Sequence, residues 1–235
     1  SILKYPSSAG LNPDSLKGSS EVNLKLNFEL RGDIQPQDVN FDIDAVLHDV
    51  EISDIIKGQT IDAKNLDLIL NNKGMEISGV ANIDSLPISL LWEGHFGKNA
   101  SYQRRYQLSF NFDQKFMQKT GINVGALKPP FIKNSIPAKA IITVYSDGVM
   151  NADVHGNLRE TAIDYAFLGF TKKAGENGEI STNLQLKDGQ LYDIPSFSLS
   201  KSDFKVIGKA TVDTKGRITK VDITSIKGPR TNASA

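Results

Sequence analysis

Histidines and carboxylates are the residues of this 235-residue chain that could support acid–base catalysis or metal binding. The three histidines, His48, His95 and His155, lie far apart in the sequence. None has a second histidine or a carboxylate at the spacing typical of a zinc site. We therefore expect these histidines on exposed strands or loops, and we predict neither a metal site nor a catalytic histidine.

The densest group of carboxylates lies between residues 38 and 54, a stretch without lysine or arginine. Its members are Asp38, Asp42, Asp44, Asp49, Glu51 and Asp54. A calcium site needs several oxygens that converge, usually on a loop that contains glycine. Asp42 and Asp44 instead alternate with Phe41 and Ile43, which places them on the opposite face of a strand. The favoured interpretation is a solvated strand face that also discourages edge aggregation.

Other catalytic chemistries have little support in the sequence. The chain has no cysteine, which excludes a thiolate nucleophile, disulfides and cysteine-based metal sites. It contains no nucleophile elbow, phosphate-binding loop, zinc-protease helix or dinucleotide fingerprint. Its 27 basic residues balance its 27 acidic residues, which argues against a nucleic-acid partner. We predict no catalytic residue and no cofactor, although two carboxylates that meet only in space would leave no motif in the sequence.

Alternation of apolar and polar residues dominates the chain and predicts strands with one dry and one wet face. It is clearest from Val22 to Leu30, and antiparallel sheets permit such an arrangement. The residues predicted on the apolar face are Leu24, Leu26, Phe28, Leu30, Phe41, Ile43, Leu66, Leu68, Leu70, Ile88, Leu90, Trp92, Leu108, Phe110, Phe112, Ile142, Val144, Leu184, Leu186, Phe204 and Val206.

Turns that contain glycine separate these strands. Residues 71–74, 146–148, 187–189 and 213–216 each end in a glycine at which a tight turn would need positive φ. The spacing predicts a mainly β fold, a long, curved antiparallel meander with one or two short helices. The stronger helix signal covers residues 113–120, with Asp113 as N-cap and Gly121 as the stop, and a single turn is possible at 53–57.

A short pattern recurs in the sequence. Residues 77–84 and 206–213 both read β-branched, x, Gly, x, Ala, x, β-branched, Asp, and residues 154–158 form a weaker copy. Glycine inside a strand marks a bulge, a bend or a close approach of backbones. The pattern predicts that Gly79, Gly156 and Gly208 bend the sheet, and chance recurrence in a β-rich sequence is the alternative.

Turn and loop signals also predict how the chain is organised. We expect an irregular N-terminal segment (1–20), a first β half that ends in the short helix (21–120), a crossover loop (121–135), a second β half (136–227) and a tail (228–235). No apolar run reaches the roughly 18–20 residues of a membrane span, and the first residues do not resemble a signal peptide. Because the sequence also begins without methionine, we interpret the chain as an excised or processed segment of a longer protein, whose membrane anchor or targeting signal would lie outside it.

Several strand patterns are similar to those of one protein family. They are LDLILNNKGMEISGVANI (66–83) followed by LPISLLWE (86–93), RYQL (105–108) before the short helix, LGFTKKAGE (168–176), and FKVIGKATV (204–212) followed by GRI (216–218). With them, the stretch from residue 39 onward resembles the AsmA-like superfamily of Gram-negative envelope proteins, including the large YhdP- and TamB-type members. Phe170 stands where that pattern often has tryptophan, a difference that concerns packing.

The resemblance implies a bridge-like lipid transfer protein. Such a protein is tethered to the inner membrane, extends through the periplasm, and holds phospholipid acyl chains in an open, repeating β-groove on their way between the inner and outer membranes. Its partners would be phospholipid or another acyl-chain lipid, the remainder of the same longer chain, and the inner membrane through an anchor outside this segment. The residues of the predicted apolar face would line the groove.

Two alternatives remain open from sequence. In the first, the apolar faces pack on each other and the chain is a non-catalytic structural or interaction module of the cell envelope. In the second, two carboxylates converge in a cleft and the chain is an enzyme that acts on envelope polysaccharide. An open sheet favours the lipid hypothesis, and two stacked layers favour the structural module.

Overall fold

Strands follow the alternating pattern along most of the chain. The computed structural model describes residues 16–35, 38–53, 60–97, 100–120, 128–166, 170–228 and 231–234. Within these residues the chain is mainly β, an antiparallel meander with one short helix, as predicted. It divides into two units, Ser1–Leu108 and Ser109–Ala235.

The first unit contains a sheet in which each strand lies beside its neighbours in the sequence. Adjacent strands from β1 to β5 pair antiparallel. The strands are β1 (Leu16–Asn27), β2 (Asn40–Ser53), β3 (Thr60–Asn71), β4 (Gly74–Ile83), β5 (Leu86–His95) and β6 (Arg104–Phe112), of which β6 continues into the second unit.

The second unit contains a longer meander and a small separate sheet. The meander has the order β8-β9-β12-β13-β14-β15-β16, and the small sheet has the order β11-β10-β7. The strands are β7 (Ile132–Lys133), β8 (Ile136–Val144), β9 (Val149–Asn157), β10 (Ala162–Tyr165), β11 (Phe170–Lys172), β12 (Gly178–Lys187), β13 (Gln190–Lys201), β14 (Phe204–Val212), β15 (Ile218–Gly228) and β16 (Thr231–Ser234).

Helix α1 (Gln114–Thr120) is the helix predicted at residues 113–120. The Asp113 carboxylate accepts a hydrogen bond from the backbone N–H of Phe116 at 2.7 Å, which is the N-cap geometry expected of that residue. Phe116 and Met117 are buried. The other helical prediction, the turn at 53–57, falls on residues that lie outside the described structure except for Ser53, which ends β2.

The predicted glycine turns are confirmed at three of four places. Gly148, Gly189 and Gly216 have φ between 73° and 79°, which L-residues with side chains rarely adopt. The prediction of positive φ at Gly74 is wrong, because the φ of this glycine is not positive. A Cβ atom there would instead collide with the carbonyl oxygen of Gly94 on the neighbouring strand, so close backbone approach requires glycine at this position.

The tight turn between β4 and β5 has no glycine and was not predicted. Asp84 and Ser85 connect β4 to β5 with φ values of 48° and 68°, the conformation of a type I′ hairpin turn. The Asp84 backbone N–H also donates a hydrogen bond to the carbonyl of Thr60, the first residue of β3, at 3.2 Å. Aspartate tolerates the left-handed region better than most residues, which explains why it can replace glycine here.

An interruption in β2 changes which side chains face the interior. Ala45 is buried, as the alternation predicts, but the exposed Asp49 has a φ of 50°. Beyond it the buried residues are Val50 and Ile52, so burial moves from odd to even positions. The backbone at Asp49 therefore keeps the end of β2 apolar on the inner side although strict alternation fails.

The three glycines of the recurring pattern have different surroundings. Gly79 has a φ of 148° and lies where the pairing of β3 with β4 shifts register after Asp62. Gly208 lies at a register shift between β14 and β15. Gly156 lies in a regular ladder, where the Ile136 and Ile180 side chains cover it so closely that a Cβ atom would overlap both.

Three predicted boundaries need correction. β1 begins at Leu16, inside the segment expected to be irregular, because its polar first residues pair with β2 and Lys17 forms an ion pair with Glu51 at 2.7 Å. β7 lies within the predicted crossover loop, of which residues 121–127 lie outside the described structure. β16 lies within the predicted tail and pairs with β15. These strands are too short, or too polar, to show a period of two.

Replacing Gly208 with alanine should destabilise the second unit. The added Cβ would lie 2.5 Å from Cζ of Phe197 and 2.6 Å from the carbonyl oxygen of Asp222, and overpacking of this kind costs about 1–3 kcal/mol. Gly32→Ala is the matched control, because nothing lies within 4 Å of the new Cβ there. Urea unfolding followed by circular dichroism measures both variants, and equal midpoints would contradict this packing.

Candidate functional site

Cross-strand pairing in the first unit brings apolar side chains into a continuous surface. Val22 lies opposite Ala45, and Ala45 lies opposite Leu68. The row continues through Ile77 on β4 to Trp92 on β5. Directly opposite residues share one face of a sheet, so five strands contribute to a single apolar surface.

A second row runs beside the first, through Leu24, Ile43, Leu70 and Met75. Leu26 and Phe41 form a further pair at the same end of the sheet. We call the whole surface the first apolar face; it consists of Val22, Leu24, Leu26, Phe41, Ile43, Ala45, Leu68, Leu70, Met75, Ile77 and Trp92.

The first apolar face is most exposed on β1. Trp92 on β5 and Ala45 on β2 are only 5% and 7% exposed, whereas Val22, Leu24 and Leu26 on β1 are 58%, 51% and 55% exposed. We call these three residues the β1 margin. Half-exposed apolar side chains in a row are unusual on a soluble surface and indicate a surface that contacts a ligand or a partner.

The other end of the same sheet is closed. Val50, Ala63, Ala81, Ile83 and Ile88 are all buried there. Their burial, together with that of Leu66 and Leu86, provides the conventional core of the first unit. The sheet therefore combines a packed end with an open margin.

The predicted apolar residues of the first unit fall into three groups. The residues of the first group are half-buried or exposed on the apolar side of the sheet: Leu24, Leu26, Phe41, Ile43, Leu68, Leu70 and Leu90. Those buried in the core are Leu66, Ile88 and Trp92. Phe28 and Leu30 lie beyond the end of β1 and are exposed, so the sheet does not bring them to the others, and Leu108 is half-buried on β6.

Helix α1 covers the predicted aromatic residues at the end of β6. The Phe110 ring stacks on the Phe116 ring with a centroid distance of 4.6 Å. The Phe112 ring lies 5.7 Å from the same ring. Phe110 and Phe112 are therefore packed against protein and do not form an open surface.

The meander of the second unit has its own apolar side. Cross-strand partners place Ile142 opposite Ala152, and Ala152 opposite Leu184. Val144, Met150 and Leu186 form the adjacent row. Of the residues predicted here, Val144 is buried, and Ile142, Leu184, Leu186, Phe204 and Val206 are half-buried.

A cluster around the small sheet covers one end of this apolar side. Ile132, Ile163 and Phe170 come from the small sheet and are buried together with Ile136 and Leu158. Ile180, Leu199 and Phe204 of the meander pack against them. The rings of Phe170 and Phe204 lie 5.1 Å apart. Sequence reasoning missed this cover because its strands are only two to four residues long.

Strand β15 carries an exposed apolar row that the alternation did not reveal. Ile218, Val221 and Ile223 lie opposite Val212, Ala210 and Gly208, and all three are at least 40% exposed. We call these three residues the β15 margin. Their spacing in sequence is irregular, yet their partners place them on one face.

Two bulges explain the irregular spacing. The register of β15 on β14 shifts at Thr219 and again at Thr224. The Thr219 hydroxyl donates a hydrogen bond to the Thr211 carbonyl, and the Thr224 hydroxyl donates to the Ile207 carbonyl, both at 3.2 Å.

A shallow depression lies on the sheet of the first unit across β1, β2 and β3. This depression of about 490 Å³ is lined by two cross-strand rows, Glu21–Val46–Asp67 and Asn23–Asp44–Ile69, with Val22, Ala45 and Leu68 between them. Asp42 and Asp44 are exposed, which confirms the predicted solvated strand face. Within the described residues, no group of three histidines or carboxylates is arranged to hold a metal ion.

The histidines lie in separate surroundings. Nδ1 of His48 lies 2.8 Å from Oδ1 of Asn65. The His95 ring meets Tyr102 edge-on at 4.7 Å. His155 is exposed on β9, so the structure does not bring the three together.

Lys172 is a buried cation that fastens the small sheet. Its ammonium group donates to the carbonyls of Arg159, Thr161 and Lys173 at 3.3, 2.9 and 3.0 Å. Burial lowers the pKa of Lys172, with nearby Glu176 acting in the opposite direction. Because all three protons of the ammonium group are engaged, the geometry is that of a structural clamp.

Comparison of the chain with models of protein families, with curated proteins and with solved structures finds no match. Among the described residues, no helix has the length and apolar character needed to cross a membrane.

Replacing Lys172 with methionine should loosen the small sheet. Methionine fills a similar volume but cannot donate to the three carbonyls, and unsatisfied buried acceptors cost about 1–3 kcal/mol each. Lys173→Met is the matched control, since the Lys173 side chain is exposed. Limited proteolysis and urea unfolding should show earlier opening for K172M only, and identical behaviour of the two variants would contradict the clamp.

Proposed function

We propose that this chain binds the acyl chains of phospholipid, or of another acyl-chain lipid, on the first apolar face. We further propose that it is a segment of a periplasmic AsmA-like protein that helps to move lipid between the inner and outer membranes of a Gram-negative cell. The observation that supports this function best is the β1 margin, where an apolar surface continuous with a protein core reaches solvent.

The chemistry of the face suits an acyl chain. Its residues carry no charge, and the indole N–H of Trp92 is their only strong side-chain hydrogen-bond donor. An acyl chain requires neither a charge nor a hydrogen bond. Each CH₂ group that leaves water contributes about 0.8 kcal/mol, so a long chain gains affinity by contact along its length. The carboxylates of the same strands face the other way, which leaves the apolar side free of buried charge.

The β15 margin gives the second unit a comparable surface. Ile218, Val221 and Ile223 extend the apolar side of the meander beyond the part that the small sheet covers. Each unit thus has a covered part and an exposed apolar edge. A protein that passes lipid along its length needs such apolar surface without a closed pocket.

The proposed setting follows from the strand patterns that resemble the AsmA-like superfamily. In that setting the remainder of a longer chain would supply the tether to the inner membrane and further groove. Neither nucleic acid nor a cofactor has a role in this proposal.

A non-catalytic structural or interaction module is the second candidate, and one observation favours it. The small sheet and its cluster of Ile132, Ile163 and Phe170 close part of the second unit in the manner of a conventional core. If the margins are also covered by protein in the cell, the chain acts as a scaffold and does not carry lipid.

Leu24→Asp tests the proposed lipid surface. Leu24 is half-exposed on an edge strand, so the variant should fold, but a carboxylate in the acyl-chain path should weaken binding about tenfold through lost apolar contact and desolvation. Titration with a fluorescent fatty acid below its critical micelle concentration measures the affinity.

Asn27→Asp is the matched control for this experiment. It adds the same charge at an exposed position of the same strand, but on the polar side. The proposal expects wild-type affinity for N27D. Equal affinities for L24D, N27D and the unmodified chain, with circular dichroism showing intact folds, would remove the first apolar face from the binding surface.

A further inference from the structure

The outer edge of β1 is an unusual feature of the first unit. β1 pairs with β2 without a register shift from Ser19 to Asn27, and it has no second neighbour among the described strands. Such an edge presents unpaired N–H and C=O groups and is a template for another strand. Here the template also carries the half-exposed β1 margin.

The residues of this edge are symmetric about Asn23. On the polar side, Glu21 and Lys25 flank Asn23 at equal distances in the sequence. On the apolar side, Val22 and Leu24 flank it in the same way. An antiparallel pair of β1 strands centred on Asn23 would therefore place Glu21 of each copy opposite Lys25 of the other, and Val22 opposite Leu24.

Two other pairings that are centred on a polar residue of this edge are less favourable. A two-fold axis normal to the sheet places the same face of both copies on one side, so directly opposite residues must share a face. A pair centred on Glu21 sets two carboxylates against each other, and one centred on Lys25 sets two ammonium groups against each other. Like charges directly opposite each other destabilise a sheet. Pairing centred on Asn23 is the register that matches unlike charges.

Both charged side chains are available for such pairing. The Glu21 side chain is 85% exposed, and the atom nearest to it in an ion pair is Nε2 of His48 at 3.9 Å. Lys25 is exposed and has no ion-pair partner within the described part of the chain.

We propose that the edge of β1 binds a second copy of this chain as an antiparallel strand pair with Asn23 on the two-fold axis. The pair joins the two sheets edge to edge, places Val22 of each copy beside Leu24 of the other, and makes the two first apolar faces continuous. The inference goes beyond the proposed lipid function and does not depend on it, because it uses backbone pairing and charges on the polar side.

Disulfide capture tests the register directly. Since the chain has no cysteine, Asn23→Cys creates a single thiol that faces its own copy across the axis. Directly opposite Cα atoms in antiparallel strands lie about 4.5–5.5 Å apart, a separation that a disulfide spans. Under mild oxidation, N23C should form a reducible dimer at least about tenfold faster than Lys73→Cys, which places a thiol at an exposed position of the turn between β3 and β4. Equal rates for the two variants would overturn the proposal.

Charge reversal provides an independent test by sedimentation velocity across a concentration series. Glu21→Lys alone and Lys25→Glu alone each place like charges opposite each other twice, and each should raise the dimer dissociation constant about tenfold. The double variant restores unlike pairs and should recover the dimer. A chain that stays monomeric at every concentration, or a double variant no better than the single ones, contradicts the proposal.

These results remain separate from those on lipid. E21K and K25E act on the polar side and leave the first apolar face unchanged, so they should bind the fluorescent fatty acid as the unmodified chain does. Loss of dimer with retained lipid binding supports both proposals. A chain that stays monomeric at every concentration and still binds lipid would contradict only the proposed dimer.

Discussion

Cross-strand register is the constraint on which the rest of this structure depends. The side chains of a strand alternate with a period of two, so a slip of one residue would move an entire apolar row to the wet side. The row from Val22 to Trp92 exists because five strands keep one register. Where the sequence departs from strict alternation, the backbone departs as well. Asp49 and the bulges at Thr219 and Thr224 return apolar residues to the correct face.

This coupling explains what was predictable from the sequence and what was not. The long strands, the capped helix after Asp113 and the turns at Gly148, Gly189 and Gly216 have local signals, and the structure agrees with them. The β15 margin has no such signal, because its residues share a face only through their partners on β14. The small sheet was missed for a related reason, since its packing against Phe204 and Leu199 depends on contacts distant in sequence.

Exposure was the least predictable property of the candidate site. Alternation alone treats Trp92 and Leu24 as equivalent, yet one is buried and the other is half-exposed. The difference arises from position in the sheet, because β5 lies in the interior of the strand order and β1 lies at its edge. The exposure of Phe110 and Phe112 was equally hard to predict, because the short helix α1 packs over both rings. The composition of a strand therefore indicates an apolar face, and its neighbours decide whether that face is open.

The central claim is that the open part of the apolar face is a surface for acyl chains. Native mass spectrometry of the chain, purified from cells without detergent and then extracted with organic solvent, tests it most directly. The account predicts complexes heavier than the bare chain by the mass of a phospholipid, and recovery of that lipid in the extract. A single species at the mass of the bare chain, with no lipid in the extract and no uptake of added lipid, would contradict it.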